Sequence, residues 1–122
     1  MRLSDAIRLG AMLKPQAFGD FTDGVGTCAF GAANEALGRP ADHEIVDEWA
    51  ALCRAESCCP CCGQRPGSLV LDDYELPNTA ALIVHLNDDH VWTREAIADW
   101  VATIEAQHDV PQPVAECAQR KG

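Results

Sequence analysis

TREAIADWVATI, residues 93–104, is the stretch whose periodicity decides the fold. Ile97, Trp100, Val101 and Ile104 fall at i, i+3, i+4 and i+7, which places them on one face of a helix and on both faces of a strand. Thr93 has the hydroxyl of a good N-cap, and Trp92 before it can staple onto Ile97. Upstream, Asn78 can cap TAALIVHLN; the run LIVHL is also acceptable as a strand, and its setting favours helix. Asp42 can cap HEIVDEWAALCRAE, where Ile45, Trp49, Leu52 and Cys53 share an inward face. Thr27 can cap CAFGAANEAL, which Gly38 and Pro40 stop; its small residues suit close helix packing. Ser4 can cap a first helix running to about Lys14, ended by Pro15 and the glycine-punctuated loop PQAFGDFTDGVG. The predicted class is therefore all-α: a small domain of four or five helices over residues 1–107, with a zinc-knuckle turn inserted between the third and fourth. A short strand is expected at residues 69–71. Two prolines and no periodicity after Gln107 predict a loose C-terminal tail over residues 108–122.

The totals narrow the functional classes. A chain of 122 residues holds one modest core, close to the size at which a metal staple adds usefully to stability. Nineteen acidic against nine basic residues give a formal net charge of −10. Such a surface repels nucleic acid and anionic lipid, because phosphate binding is driven by Lys and Arg that displace counterions. Solubility is the plain reading of the acidity; mimicry of nucleic acid, or attraction of a basic partner, is the functional one. No apolar run approaches the roughly 20 residues of a membrane span. Asp5 and Arg8 interrupt the apolar start, so it does not read as a secretory signal. A soluble cytoplasmic protein is expected, with a place in a virion as the variant.

Seven cysteines, an odd number, argue against a disulfide framework in that compartment, and four of them crowd into CCPCCG at residues 58–63. Two C-x-x-C pairs overlap there. Pro60 and Gly63 favour Cys59 with Cys62, since C-P-x-C-G resembles the knuckle of zinc ribbons and fingers, with a glycine supplying positive φ after the second ligand. HLNDDH then supplies His85 and His90, with four residues between them and 22 between Cys62 and His85. Positions five apart on an ideal helix point about 140° away from each other. Both histidines can meet one ion only if the helix unwinds near Asn87 or if His90 lies beyond its end. The expected metal ligands are Cys59, Cys62, His85 and His90, and the expected cofactor is a structural zinc. Cys53 is the substitute ligand or else a core cysteine; Cys58 and Cys61 are spare or recruit a second ion. The bland alternative is unligated thiols beside exposed histidines. A thioredoxin-like redox pair would open a helix, whereas this pair follows one.

A rival enzyme reading begins at Cys28, in the first turn of its predicted helix, where the helix dipole activates a thiol. HVW at residues 90–92 resembles the H-x-W around the transglutaminase histidine, so Cys28, His90 and Asp99 can be written as a triad for a cysteine acyl-transferase or hydrolase. That family carries its histidine and acid on strands, and Asp99 here falls in a helix. WTREAIADWV also has the cadence of the first helix of a helix-turn-helix unit, but an acidic, proline-broken stretch follows where a basic recognition helix is needed.

HLNDDHVWTREAIADWV, residues 85–101, resembles a segment of small uncharacterised proteins of bacteria and their phages, and LSDAIRLGAML with KPQAFG belongs with the same pattern. The resemblance covers about a quarter of the chain and implies an accessory or virion-associated role, with no catalytic residues. The expected function is non-enzymatic: a zinc-stabilised helical protein that makes contacts with another protein or with itself, and none with nucleic acid or membrane.

Overall fold

Leu3, Ala6, Ile7 and Gly10 recur at i, i+3, i+4 and i+7, and all four are buried along one face of the first helix. In the computed structural model, residues 1–18, 25–39, 45–55, 57–65 and 78–109 are described. They form α1 (Leu3–Ala11), α2 (Ala29–Ala36), α3 (Asp47–Arg54), α4 (Asn78–Asp88) and α5 (Arg94–Asp109). There is no strand among the described residues, only an isolated parallel bridge between Gln16 and Thr27. The all-α reading is therefore correct. The expected strand at 69–71, the Asp42 cap, Pro40 and the tail from residue 110 onward lie outside the described residues.

The packing follows from side-chain size. α1 lies most extensively on α2 and next on α5. A Cβ at Gly10 would collide with the Ala32 carbonyl, so glycine is what lets α1 approach the small-residue face of α2. α4 is buried nearly all round, from Thr79 through Asn87 with only Val84 half-exposed. Around it Phe30, Trp49, Leu52, Leu82, Ile83, Leu86, Ile97 and Val101 form one core, each worth roughly 1.5–3 kcal/mol of burial. No helix among the described residues is long and apolar enough to cross a membrane.

Three sequence expectations about helix ends are corrected. Ser4 does not cap α1: the helix starts at Leu3 after Arg2, and Ser4 lies inside it. Its hydroxyl and its backbone N–H (3.2 Å) both donate to the carboxylate of Glu105, buried on α5. The carboxylate thus satisfies an otherwise unpaired N–H at the positive end of the α1 dipole, doing from a distant helix what a local cap would do. Thr27 does not cap α2 either. Cys28 does, its sulfur accepting from the Gly31 N–H at 3.4 Å. α3 begins at Asp47 rather than near Asp42, so Ile45 packs on the core from the segment before the helix. At the other ends, Gly38 (φ 75°) closes α2 with the Arg39 N–H on the Asn34 carbonyl, as its sequence indicated, and α5 runs on to Asp109 past Gln107.

Thr27 has a different task. Arg94, at the start of α5 and 5% exposed, sends Nη1 to the Thr27 hydroxyl (3.0 Å) and carbonyl (3.3 Å), and Nη2 to the carbonyls of Lys14 (2.6 Å) and Ala11 (3.3 Å). The Ala11 carbonyl is one of the orphaned acceptors at the negative end of α1. Burial pulls the Arg94 pKa below its ordinary value, against the pull of Glu95. Backbone bonds from Ala17 N–H to the Thr27 carbonyl and from Thr27 N–H to the Pro15 carbonyl, both 2.9 Å, complete the junction. Arg94→Met is expected to lower stability by about 3 kcal/mol or more, because it strands buried acceptors. Arg94→Lys, lacking the fork, should recover only part of it; urea unfolding midpoints of the two variants check this.

Candidate metal centre

The turn after α3 is built by its own sequence. Pro60 fixes one φ, and Gly63 takes φ 75°. The Gly63 N–H reaches the Cys59 carbonyl (2.9 Å), and the Cys59 N–H reaches the Gln64 carbonyl (3.0 Å), so the chain folds back on itself. Inside that loop the backbone N–H groups of Cys61 and Cys62 both point at the Cys59 sulfur, 3.4 Å from each. Two amides donating to one sulfur favour the thiolate over the thiol.

The end of α4 supplies the opposite side. His85 lies in its last turn and His90 just past its end. The Asp89 and His90 N–H groups both go to the His85 carbonyl (2.9 and 3.3 Å), and the Trp92 N–H goes to that of Leu86 (3.0 Å). The chain leaves through a widened turn in which Val91 adopts φ 55°, a left-handed conformation that a β-branched residue takes only under constraint. The 140° objection is met in this way, and the two imidazoles converge edge to face with centroids 4.5 Å apart. Asn87, fully buried, fixes this corner: its Oδ1 accepts from Gln16, and its Nδ2 donates to the Ala17 carbonyl, both at 2.9 Å.

The donor atoms of Cys59, Cys62, His85 and His90, the four residues singled out from sequence, all lie within 4.8 Å of one another. Such a group could hold a metal ion. The Cys62 sulfur is 3.4 Å from His85 Nε2, close to the edge of a tetrahedron with metal–sulfur and metal–nitrogen bonds of about 2.3 and 2.0 Å. His90 Nε2 is buried with no hydrogen-bond partner among the described residues, a deficit that a cation can remove. The two thiols differ. Burial pushes Cys59 up, against the Cys62 and Cys61 amides. For Cys62, slight burial is outweighed by the His85 ring, the Gln64 backbone, the nearby His90 ring and Cys59, and its pKa falls to about 6.

Sequence reasoning missed Asp89. Its carboxylate lies 2.7 Å from His85 Nδ1, on the far side of the ring from Cys62. The signal was the i,i+4 spacing of His85 and Asp89 across the end of α4. Cys53 is a fully buried core residue outside the group, and Cys61 is exposed and also outside it. Cys58 is disulfide-bonded, which corrects the expectation of uniformly reduced thiols and removes it from the ligand set. Cys117 and His43 lie outside the described residues, as does the His108 side chain.

The Cys28 triad is not assembled. Asp99 pairs at the surface with Arg8, 2.8 Å away. Cys28 is 4% exposed, and burial raises its thiol to about 11 despite the Gly31 and Phe30 amides, the reverse of an activated nucleophile. Burial likewise raises Cys53 to about 12. Comparison of the chain with protein families, with curated proteins and with solved structures finds no match.

Both shifts are upward, so the protons of Cys28 and Cys53 are held more tightly in the folded state. Their contribution is complete below the unfolded thiol value of 9 and is lost as pH rises towards 11 and 12 respectively. Urea unfolding at about pH 8 and about pH 10.5 is expected to show a drop of up to about 1.4 kcal/mol per pH unit for each thiol above 9. Cys28→Ala should flatten that slope by one thiol's share.

Proposed function

We propose that Cys59, Cys62, His85 and His90 bind one zinc ion, and that this ion is structural. One observation carries the reading: two sulfurs and two imidazoles from separate parts of the chain lie within 4.8 Å of one another. The donor set suits zinc and disfavours magnesium and calcium, which take oxygen ligands. Two thiolates neutralise the ion, which suits a half-buried site. Four protein ligands leave no position for water, so the ion would supply cross-linking and no Lewis-acid chemistry. Its effect is to tie the turn at residues 57–65 to the corner between α4 and α5.

The biological role that follows is non-catalytic, through contacts with another protein or with further copies of itself, in an accessory or virion-associated setting. The net charge of −10 supports a partner other than nucleic acid. Exposed Met12, Leu13, Phe18 and Val25 support apolar contact with such a partner.

Elemental analysis of protein purified without added zinc should give about one zinc per chain, reduced severalfold in Cys59→Ser and His90→Ala. Chelation should lower the thermal midpoint of the wild type and leave that of the variants unchanged. A metal-free wild type overturns the reading.

A second reading has one observation in its favour. Cys62, His85 and Asp89 line up as thiol, imidazole and carboxylate at 3.4 and 2.7 Å, with Cys62 exposed. As a nucleophile, Cys62 would give a stoichiometric burst from p-nitrophenyl acetate in metal-free protein, lost in Cys62→Ser and suppressed by zinc. Equal rates in wild type and variant would discard this reading.

A further inference from the structure

We infer that Asp89 is the positioning residue of the metal site: it holds the His85 ring with its proton on Nδ1, so that Nε2, on the Cys62 side, is the atom left to ligate the ion. The inference rests on the metal-binding reading above and deepens it.

A carboxylate can only accept, so at 2.7 Å the proton of this bond belongs to His85 Nδ1. When an ion binds, a ring that keeps its proton on Nδ1 offers its lone pair at Nε2, the atom that lies 3.4 Å from the Cys62 sulfur. The two bonds run through opposite sides of one ring, so the bond to Asp89 sets both the ring's orientation and its donor atom. The His85 side chain is 8% exposed and that of Asp89 63%. The ring is therefore packed inside while its anchor stands in solvent, and removing the carboxylate takes nothing from the core.

The neighbouring residues single out Asp89 from the rest of NDD. Asp88 instead receives the Asn87 amide at 2.7 Å. Asn87 itself is committed to Gln16 and Ala17. His90, by contrast, has a buried Nε2 with no partner among the described residues. The two histidines therefore differ: His85 is oriented by a carboxylate before any ion arrives, whereas for His90 Nε2 the ion would supply the partner. An outer carboxylate on a ligating histidine commonly changes metal affinity by about 10- to 100-fold.

The test titrates Co²⁺ and Zn²⁺ into wild type, Asp89→Ala, Asp89→Asn and the control Asp88→Ala, against a chromophoric chelator. The imidazole N–H protons are followed by NMR in the same proteins without metal. Asp89→Ala should bind about 10- to 100-fold more weakly and lose the slowly exchanging His85 Nδ1–H resonance. Asp89→Asn, whose amide oxygen still accepts, should keep the resonance and recover part of the affinity, and Asp88→Ala should match wild type. Asp89→Ala with wild-type affinity, or with the Nδ1–H resonance intact, overturns the inference. A wild type that binds no metal defeats the metal reading alone, and the Nδ1–H resonance still decides whether Asp89 sets the ring.

Discussion

The guanidinium of Arg94 is a buried cation whose hydrogen-bond partners among the described residues are carbonyls and a hydroxyl from the end of α1, the turn after it and the approach to α2. Such a group is tolerated only where fixed dipoles replace water, and the open end of α1 provides them. The junction sets the distance between α1, α2 and α5, and Gly10 makes the closest part of that approach sterically possible. Arg94 also opens α5 directly after Thr93, whose hydroxyl caps the helix on the Ala96 N–H at 3.1 Å. The connection from α4 is consequently held at both ends.

That connection carries His90. On one side the Leu86 carbonyl takes the Trp92 N–H, and on the other the Trp92 carbonyl takes the Gln16 amide at 2.7 Å. Val91 is forced into its left-handed conformation between them, at a cost of order 1–3 kcal/mol. The strain is what brings His90 round to the side of His85. The site is thus supported by ordinary fold contacts on its helical side and by a self-contained turn on its cysteine side. Only the second of these is local in sequence.

This division explains what could be read from the chain. Helical periodicity at Ile97, Trp100, Val101 and Ile104 reports burial, and burial is what the fold is made of. The C-P-x-C-G turn was legible because all its hydrogen bonds close within six residues. The choice of His85 and His90 was legible from spacing, and the condition placed on it, an ending of the helix before His90, holds. Helix caps were misread at Ser4 and Thr27 because a residue elsewhere claimed each hydroxyl, Glu105 in one case and Arg94 in the other. Competition of that kind is settled in three dimensions. Asp89 was in plain view in HLNDDH, yet three acceptors stand in that run, and only the course of the helix end decides which of them meets Nδ1.

The close of α3 and the start of α4 are joined by short bonds: Asn78 Nδ2 to the Arg54 carbonyl, Thr79 Oγ1 to the Ala55 carbonyl, and Ser57 to Thr79, all at 2.8 Å. With Cys62 against His85, they bring residues 54–62 and 78–85 together, so that the chain between them is closed at its ends. The entropy of closing such a ring rises only with the logarithm of its length, about 0.6 kcal/mol per doubling. A change in the length of chain between residues 65 and 78 therefore alters the closing entropy little, while the bonded positions on either side, and the cysteine turn with them, tolerate almost nothing.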